Sequence, residues 1–212
     1  MSVLLQTVPR DIIHMPIVAP GLRIGLLGGS FNPAHEAHRA VSLLAWKRLG
    51  LDRVWWLVSP GNPLKDTSDL PPLVERIARA RKLAASPFID VTGIEAALGT
   101  CFSHDTVAEL RRRFPNVCFV FLMGADNLAQ FHRWRRWREL AGLVPMAVID
   151  RAGWSFPALA SPAATALVRA RIIESEAASL ALRTPPAWVY LHGLKSPLSS
   201  TALRAHHAQS KG

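Results

Sequence analysis

Residues 24–38 read IGLLGGSFNPAHEAH, and this stretch leaves few folds open to the chain. An apolar run with strand character meets Gly28-Gly29, and His35 and His38 follow three positions apart where a helix can begin. Adjacent glycines let a backbone approach a ligand closely or adopt positive φ, which residues with a Cβ do poorly. Pro33 restricts Asn32 to extended geometry, so Ser30-Phe31-Asn32 reads as loop. The helix then starts near His35 with its unpaired N–H groups facing a crevice. Backbone donors and the positive end of the helix dipole act together on phosphate oxygens at such a place. His35 and His38 share one helical face and add two imidazole donors, whose protonated forms a phosphate would favour. Zinc needs more ligands than this pair supplies, the pair is not HExxH, and the loop is not GxxxxGK followed by Ser or Thr.

The same strand–turn–helix unit recurs along the chain. Strands are expected over residues 22–27, 54–58, 88–91, 117–123, 143–149 and 188–191, and helices over 35–49, 73–85, 103–114 and 163–182. Residues 92–98 read as an irregular active-site edge, and Gly50 as the stop of the first helix. This alternation predicts one α/β domain over 22–212: a Rossmann-like, doubly wound parallel sheet with helices on both faces. Residues 1–21, with prolines at 9, 16 and 20, read as an irregular extension. Half of the 212 residues are apolar, enough for a substantial core. Lys and Arg total 25 against 15 acids, a net charge of +10 that favours phosphate-bearing partners, whether nucleotide or nucleic-acid backbone. Two cysteines, Cys101 and Cys118, suggest no disulfide framework. No apolar run is long enough to span a membrane, and Arg10, Asp11 and His14 interrupt the segment a signal peptide would need, so a cytoplasmic protein with reduced thiols is expected.

Several further residues read in two ways. Lys65, past the turn 59–63, is either a phosphate contact or a solvated loop charge. Ser103 caps a helix or also reaches substrate. Asp126, directly after the strand 117–123, is placed for ribose hydroxyls or for a helix cap, since ligand crevices lie beyond the carboxyl ends of parallel strands. The run FHRWRRWREL over 131–140 puts Trp134 and Trp137 at helical spacing between arginines. That pattern fits amphipathic packing, and equally a basic nucleic-acid-binding module in which tryptophan stacks on a base. Ser200, Thr201 and Arg204, in SSTALR, can cap a helix or form the second side of a polyphosphate clamp.

With these segments in place, the chain resembles the HxGH-class nucleotidyltransferases, most closely their bacterial nicotinate-nucleotide adenylyltransferase branch. GGSFNPAHEAH is similar to the signature GG(T/S)FDPxHxGH, with Asn32 in place of aspartate and Ala37 in place of glycine, and SSTALR is similar to SxTxxR. FSHDTVAEL and MGADNLAQFHRWRRWREL also resemble this branch. The resemblance implies adenylyl transfer from ATP to nicotinate mononucleotide, giving deamido-NAD and pyrophosphate, with Mg2+ accompanying ATP and held through phosphates and water. It implies ATP contacts from Gly28, Gly29, Ser30, Phe31, His35, His38, Gly124, Asp126, Ser200, Thr201 and Arg204, with His35, His38 and Arg204 stabilising the departing pyrophosphate. Asn32, Lys65, Ser103, Asp105 and Trp134 would meet the acceptor. No nucleic acid or membrane partner is expected, and a homo-oligomer is compatible with this reading. Nicotinamide mononucleotide and pantetheine phosphate stay open as acceptors.

Overall fold

Six strands, all parallel, lie in the order β3-β2-β1-β4-β5-β6. The structure is a computed structural model that describes residues 15–61, 70–151 and 153–193. The strands are β1 (Arg23–Gly29), β2 (Arg53–Val58), β3 (Ile89–Thr92), β4 (Cys118–Gly124), β5 (Met146–Ile149) and β6 (Trp188–Leu191). Helices α1 (Glu36–Leu49), α2 (Leu73–Ala84), α3 (Ile94–Leu98), α4 (Ser103–Arg113), α5 (Ala125–Gln130), α6 (Trp137–Leu143), α7 (Ser155–Leu159) and α8 (Pro162–Ala166) connect them. The expected doubly wound sheet is therefore present.

A strand's side chains alternate between faces, and strands covered on both sides are apolar throughout. Leu27, Trp56, Val58, Val120, Leu122, Ala147 and Ile149 face one layer, formed by α1 and α2 together with the 3-10 segment Glu174–Leu182. Ile24, Leu26, Trp55, Phe119, Phe121, Val148 and Trp188 face the other, formed by α3 to α8. Each large side chain so buried contributes about 1.5–3 kcal/mol. Gly25 makes room for the core: a Cβ there would come within 2.8 Å of the terminal methyls of Leu122 and Leu51, which would have to shift. Gly50 ends α1 in the left-handed region at φ 61°, as its sequence position suggests.

Three expectations are corrected. Residues 163–182 do not form one long helix. After α8 and a short 3-10 turn, Arg171 bridges to Trp188, and Ile172 donates its N–H to the Trp188 carbonyl at 2.8 Å. The open edge of β6, with β-branched Ile172 and Ile173 beside it, outweighs the helix preference of the alanines around them. The helical spacing read for Trp134 and Trp137 is not that of one continuous helix: a 3-10 turn over Phe131–Arg133 gives way to extended Trp134 and left-handed Arg136 before α6 begins. Residues 92–98 are largely helical, as α3.

Candidate active site

Strand order reverses between β1 and β4, so the connections leave these neighbouring strands in opposite directions and open a crevice at their carboxyl ends. Gly28 and Gly29 end β1 in extended backbone rather than forming the turn. The turn falls at Phe31, at φ 46°, whose ring is buried against Trp56 at 5.0 Å and His38 at 4.7 Å. Phe31 thus anchors the loop from below, and its side chain is not a cleft contact. Gly28 is exposed at the strand end, where a Cβ would meet no protein atom within 4 Å, leaving room for a ligand against the backbone.

His35 is the N-cap residue of α1 and His38 stands in its first turn, their rings 3.9 Å apart. The backbone N–H of His35 donates to His38 Nδ1 at 3.2 Å, which fixes the neutral tautomer of His38 with its proton on Nε2. Both ring nitrogens of buried His35 lack a hydrogen-bond partner. Burial, followed by the charge of Arg151, lowers His35 to about 4. Burial, then His35 and Arg151, lowers His38 to about 3. Both imidazoles are therefore neutral at pH 7 in the free protein.

Across the crevice, β4 runs into α5 at Gly124, and Asp126 lies in the first turn of α5. Asp126 makes no side-chain cap. Its Oδ2 pairs with Arg151 at 3.4 Å, and its Oδ1 is buried without a partner. A Cβ on Gly124 would strike Asp126 Oδ1 and lie 3.2 Å from Arg151 Nε, so only glycine leaves this pair undisturbed. Arg151, which no sequence motif singles out, leaves the end of β5 beside Gly124, with its Nε also unpaired. The position of Arg151 after a buried strand was the available signal. Four unsatisfied polar atoms on His35, Asp126 and Arg151 thus collect at one place, where native interiors seldom leave any.

A second wall stands beyond the end of β3. Phe102 is the N-cap residue of α4 and Ser103 its first helical residue, without a side-chain cap bond, so the capping role expected of Ser103 is not made. The Arg135 guanidinium lies 4.7 Å over the Phe102 ring, which brings the segment carrying Trp134 against this helix entrance. Trp134 is half-buried, edge-on to Phe121 at 6.2 Å and to Phe131 at 5.4 Å, while Trp137 is buried beneath Arg138. The two tryptophans therefore do not form a free stacking stripe. Asp105 is engaged by His104 at 2.8 Å and faces Arg136 at 3.8 Å, both through Oδ1. Behind the wall, buried Glu95 accepts from Thr106 Oγ1 at 3.0 Å, and its desolvated carboxyl is pushed up to about 7. Ser30 and Asn32 lie on the loop between β1 and α1, with Ser30 exposed. Lys65, Ser200, Thr201 and Arg204 lie outside the described residues.

Both cysteines are free thiols, and among the described residues no helix is long and apolar enough to cross a membrane. A family model described as cytidylyltransferase-like matches residues 26–206. A Bradyrhizobium sp. (strain ORS 278) protein named "Probable nicotinate-nucleotide adenylyltransferase" is 61% identical over 183 residues, covering 86% of this chain and 95% of that protein. One of the same name from Methylorubrum extorquens (strain PA1) is 57% identical over 183 residues, covering 86% and 99%. Among solved structures, Plasmodium falciparum nicotinic acid mononucleotide adenylyltransferase complexed with APC superposes with a TM-score of 0.63 at 18% identity, covering 87% of this chain and 83% of that one, a likeness of fold.

Proposed function

Because this chain belongs to the nicotinate-nucleotide adenylyltransferase family, within the cytidylyltransferase-like proteins, we propose that it transfers the adenylyl group of ATP to nicotinate mononucleotide, forming deamido-NAD and pyrophosphate. The observation that carries this reading to a mechanism is the facing of the His35/His38 pair and the Asp126/Arg151 pair, with their unpaired polar atoms, across the β1–β4 crevice.

The reaction needs no protein nucleophile. A phosphate oxygen of nicotinate mononucleotide attacks the α-phosphorus of ATP, the bond to the β-phosphate oxygen breaks, and pyrophosphate leaves with that electron pair. The protein has to hold two anions in line and accept the charge that develops on the leaving group. His38, with its proton on Nε2, and His35, with two unpaired nitrogens, supply neutral donors that can become imidazolium as the charge grows. Arg151 brings a fixed positive charge to the same crevice, and Arg204 is assigned to the pyrophosphate side with Ser200 and Thr201. Asp126 orients Arg151 and offers its free Oδ1 to ribose hydroxyls, while the glycines at 28 and 124 leave space for the nucleotide. The α4 entrance at Ser103, with Trp134 beside it, takes the nicotinate end of the acceptor: unpaired amides meet the carboxylate and the indole meets the ring. Lys65 is assigned to the acceptor phosphate.

Among the described residues no three His, Cys, Asp or Glu side chains converge on one point. Mg2+ would accompany ATP here, held by phosphate oxygens and water, and the unpaired Asp126 Oδ1 would accept a hydrogen bond from such a water. When bound it neutralises charge on the phosphates. The cytoplasm is the compartment this chemistry suits.

The test is an assay of pyrophosphate release with ATP, Mg2+ and each of three acceptors, nicotinate mononucleotide, nicotinamide mononucleotide and pantetheine phosphate, with product masses identifying what was joined. Nicotinate mononucleotide should give the highest kcat/KM. No release with any acceptor from folded protein would end the proposal, and a preference for the amide would move the assignment to the other acceptor.

A further inference from the structure

Arg76, in the first turn of α2, is 1% exposed, and burial lowers its pKa. Among the described residues no carboxylate lies within ion-pair distance of it. Its guanidinium is instead spent on four backbone carbonyls. Nε donates to Pro71 at 2.9 Å, one terminal nitrogen donates to Ser30 and to Ser59, each at 2.7 Å, and the other donates to Pro60 at 3.3 Å. These carbonyls belong to three different stretches: the loop after β1, the turn after β2 and the run entering α2. A buried cation without a counter-charge is costly, and helix packing could be achieved by an apolar residue in its place.

We propose that Arg76 is the positioning residue of the anion-binding loop, tying the β1 and β2 exits together from beneath so that the amides of the Gly28–Phe31 loop present their N–H groups to phosphate. The geometry follows from peptide planarity. A carbonyl and the N–H that follows it point in opposite directions, so holding the Ser30 carbonyl down on Arg76 turns the Phe31 N–H up toward the crevice. The neighbouring carbonyl, Gly29, is taken by the Ser59 N–H at 2.9 Å, and Ser59 is itself held by Arg76, so one guanidinium fixes both sides of the loop. A planar fork with five donors can meet four carbonyls in fixed directions; an ammonium cannot.

This inference rests on the reading of the crevice as a polyphosphate site. Pyrophosphate binding to the full-length protein, measured by calorimetry, tests it with Arg76→Lys and Arg76→Met, alongside Leu180→Ala as a core variant remote from the loop. The expected result is that both Arg76 variants, folded by near-UV circular dichroism, bind pyrophosphate about tenfold or more weakly and raise KM for ATP alike, while Leu180→Ala lowers Tm and leaves pyrophosphate binding unchanged. Full rescue by lysine would overturn the proposal, because charge alone would then suffice. Failure of Arg76→Lys to fold would also overturn it, leaving a purely structural role. Wild-type protein that ignores pyrophosphate would remove the polyphosphate reading itself; wild-type protein that binds it but uses a different acceptor would change the assigned substrate and leave Arg76 in place.

Discussion

Acidification should strike this fold at its histidine pair. In the unfolded chain each histidine titrates near 6.5, whereas in the fold burial and neighbouring positive charge bring His35 to about 4 and His38 to about 3. Between those values and 6.5 the unfolded chain binds more protons than the folded one, so stability is complete above pH 6.5 and falls as the pH drops. From pH 7 to pH 5 the loss is about 2 kcal/mol for each imidazole and about 4 kcal/mol for the pair. At pH 5 both groups are still largely neutral in the fold, so the figure is set mainly by the unfolded chain. For a chain of this length the pair's share corresponds to a drop in Tm of roughly 8–15 °C. The assay is thermal unfolding at the two pH values for the wild type and for the double variant His35→Gln, His38→Gln, which subtracts every other titrating group. The variant should lose less than the wild type by about that amount, and saturating pyrophosphate should shrink the wild-type loss by favouring the charged rings. Equal acid losses in the two proteins would refute the reasoning, since the pair would then already be charged, or freely charged, within the fold.

Gly124→Ala should force Asp126 and Arg151 apart, costing about 1–3 kcal/mol in denaturant unfolding and raising KM for ATP; an alanine enzyme with unchanged kinetics would count against the crevice assignment. Arg151→Met removes the shared positive charge next to both imidazoles, so NMR titration should find their pKa values higher, with pyrophosphate bound about tenfold more weakly. Glu95 is held near 7 against an ordinary 4.5, so its contribution to stability falls as the pH rises through that interval. Glu95→Gln should accordingly gain in Tm relative to the wild type on going from pH 5 to pH 8, and a constant difference between the two would show that Glu95 is ionised in the fold.

Much of this architecture could be read from the chain because the signals were local. The apolar runs that became β1, β2, β4 and β6 stood between turn residues, Gly50 marked the end of α1, and the spacing of His35 and His38 placed both rings on one turn. What escaped depended on partners distant in sequence. Arg76 looks like an ordinary basic residue on an amphipathic helix, and nothing nearby announces the four carbonyls that bury it. Arg151 gained its importance only when β5 came to lie beside β4. Burial of the Phe31 ring was equally hidden, since only the fold brings Trp56 beside it, where an aromatic ring gains more from burial than from exposure. The break in residues 163–182 had the same origin, since the vacant hydrogen-bonding edge at Trp188, beyond the end of that segment, offers the chain something alanine propensity cannot show.

That extended passage at Arg171 has a protective side. An unguarded outermost strand is a template on which foreign chains can assemble, and parallel sheets have two such borders. Here Ile172 occupies the Trp188 carbonyl and the Arg171 guanidinium lies 5.3 Å over the Trp188 ring, so a neighbouring molecule would have to evict a resident segment and a positive charge before it could pair at this point.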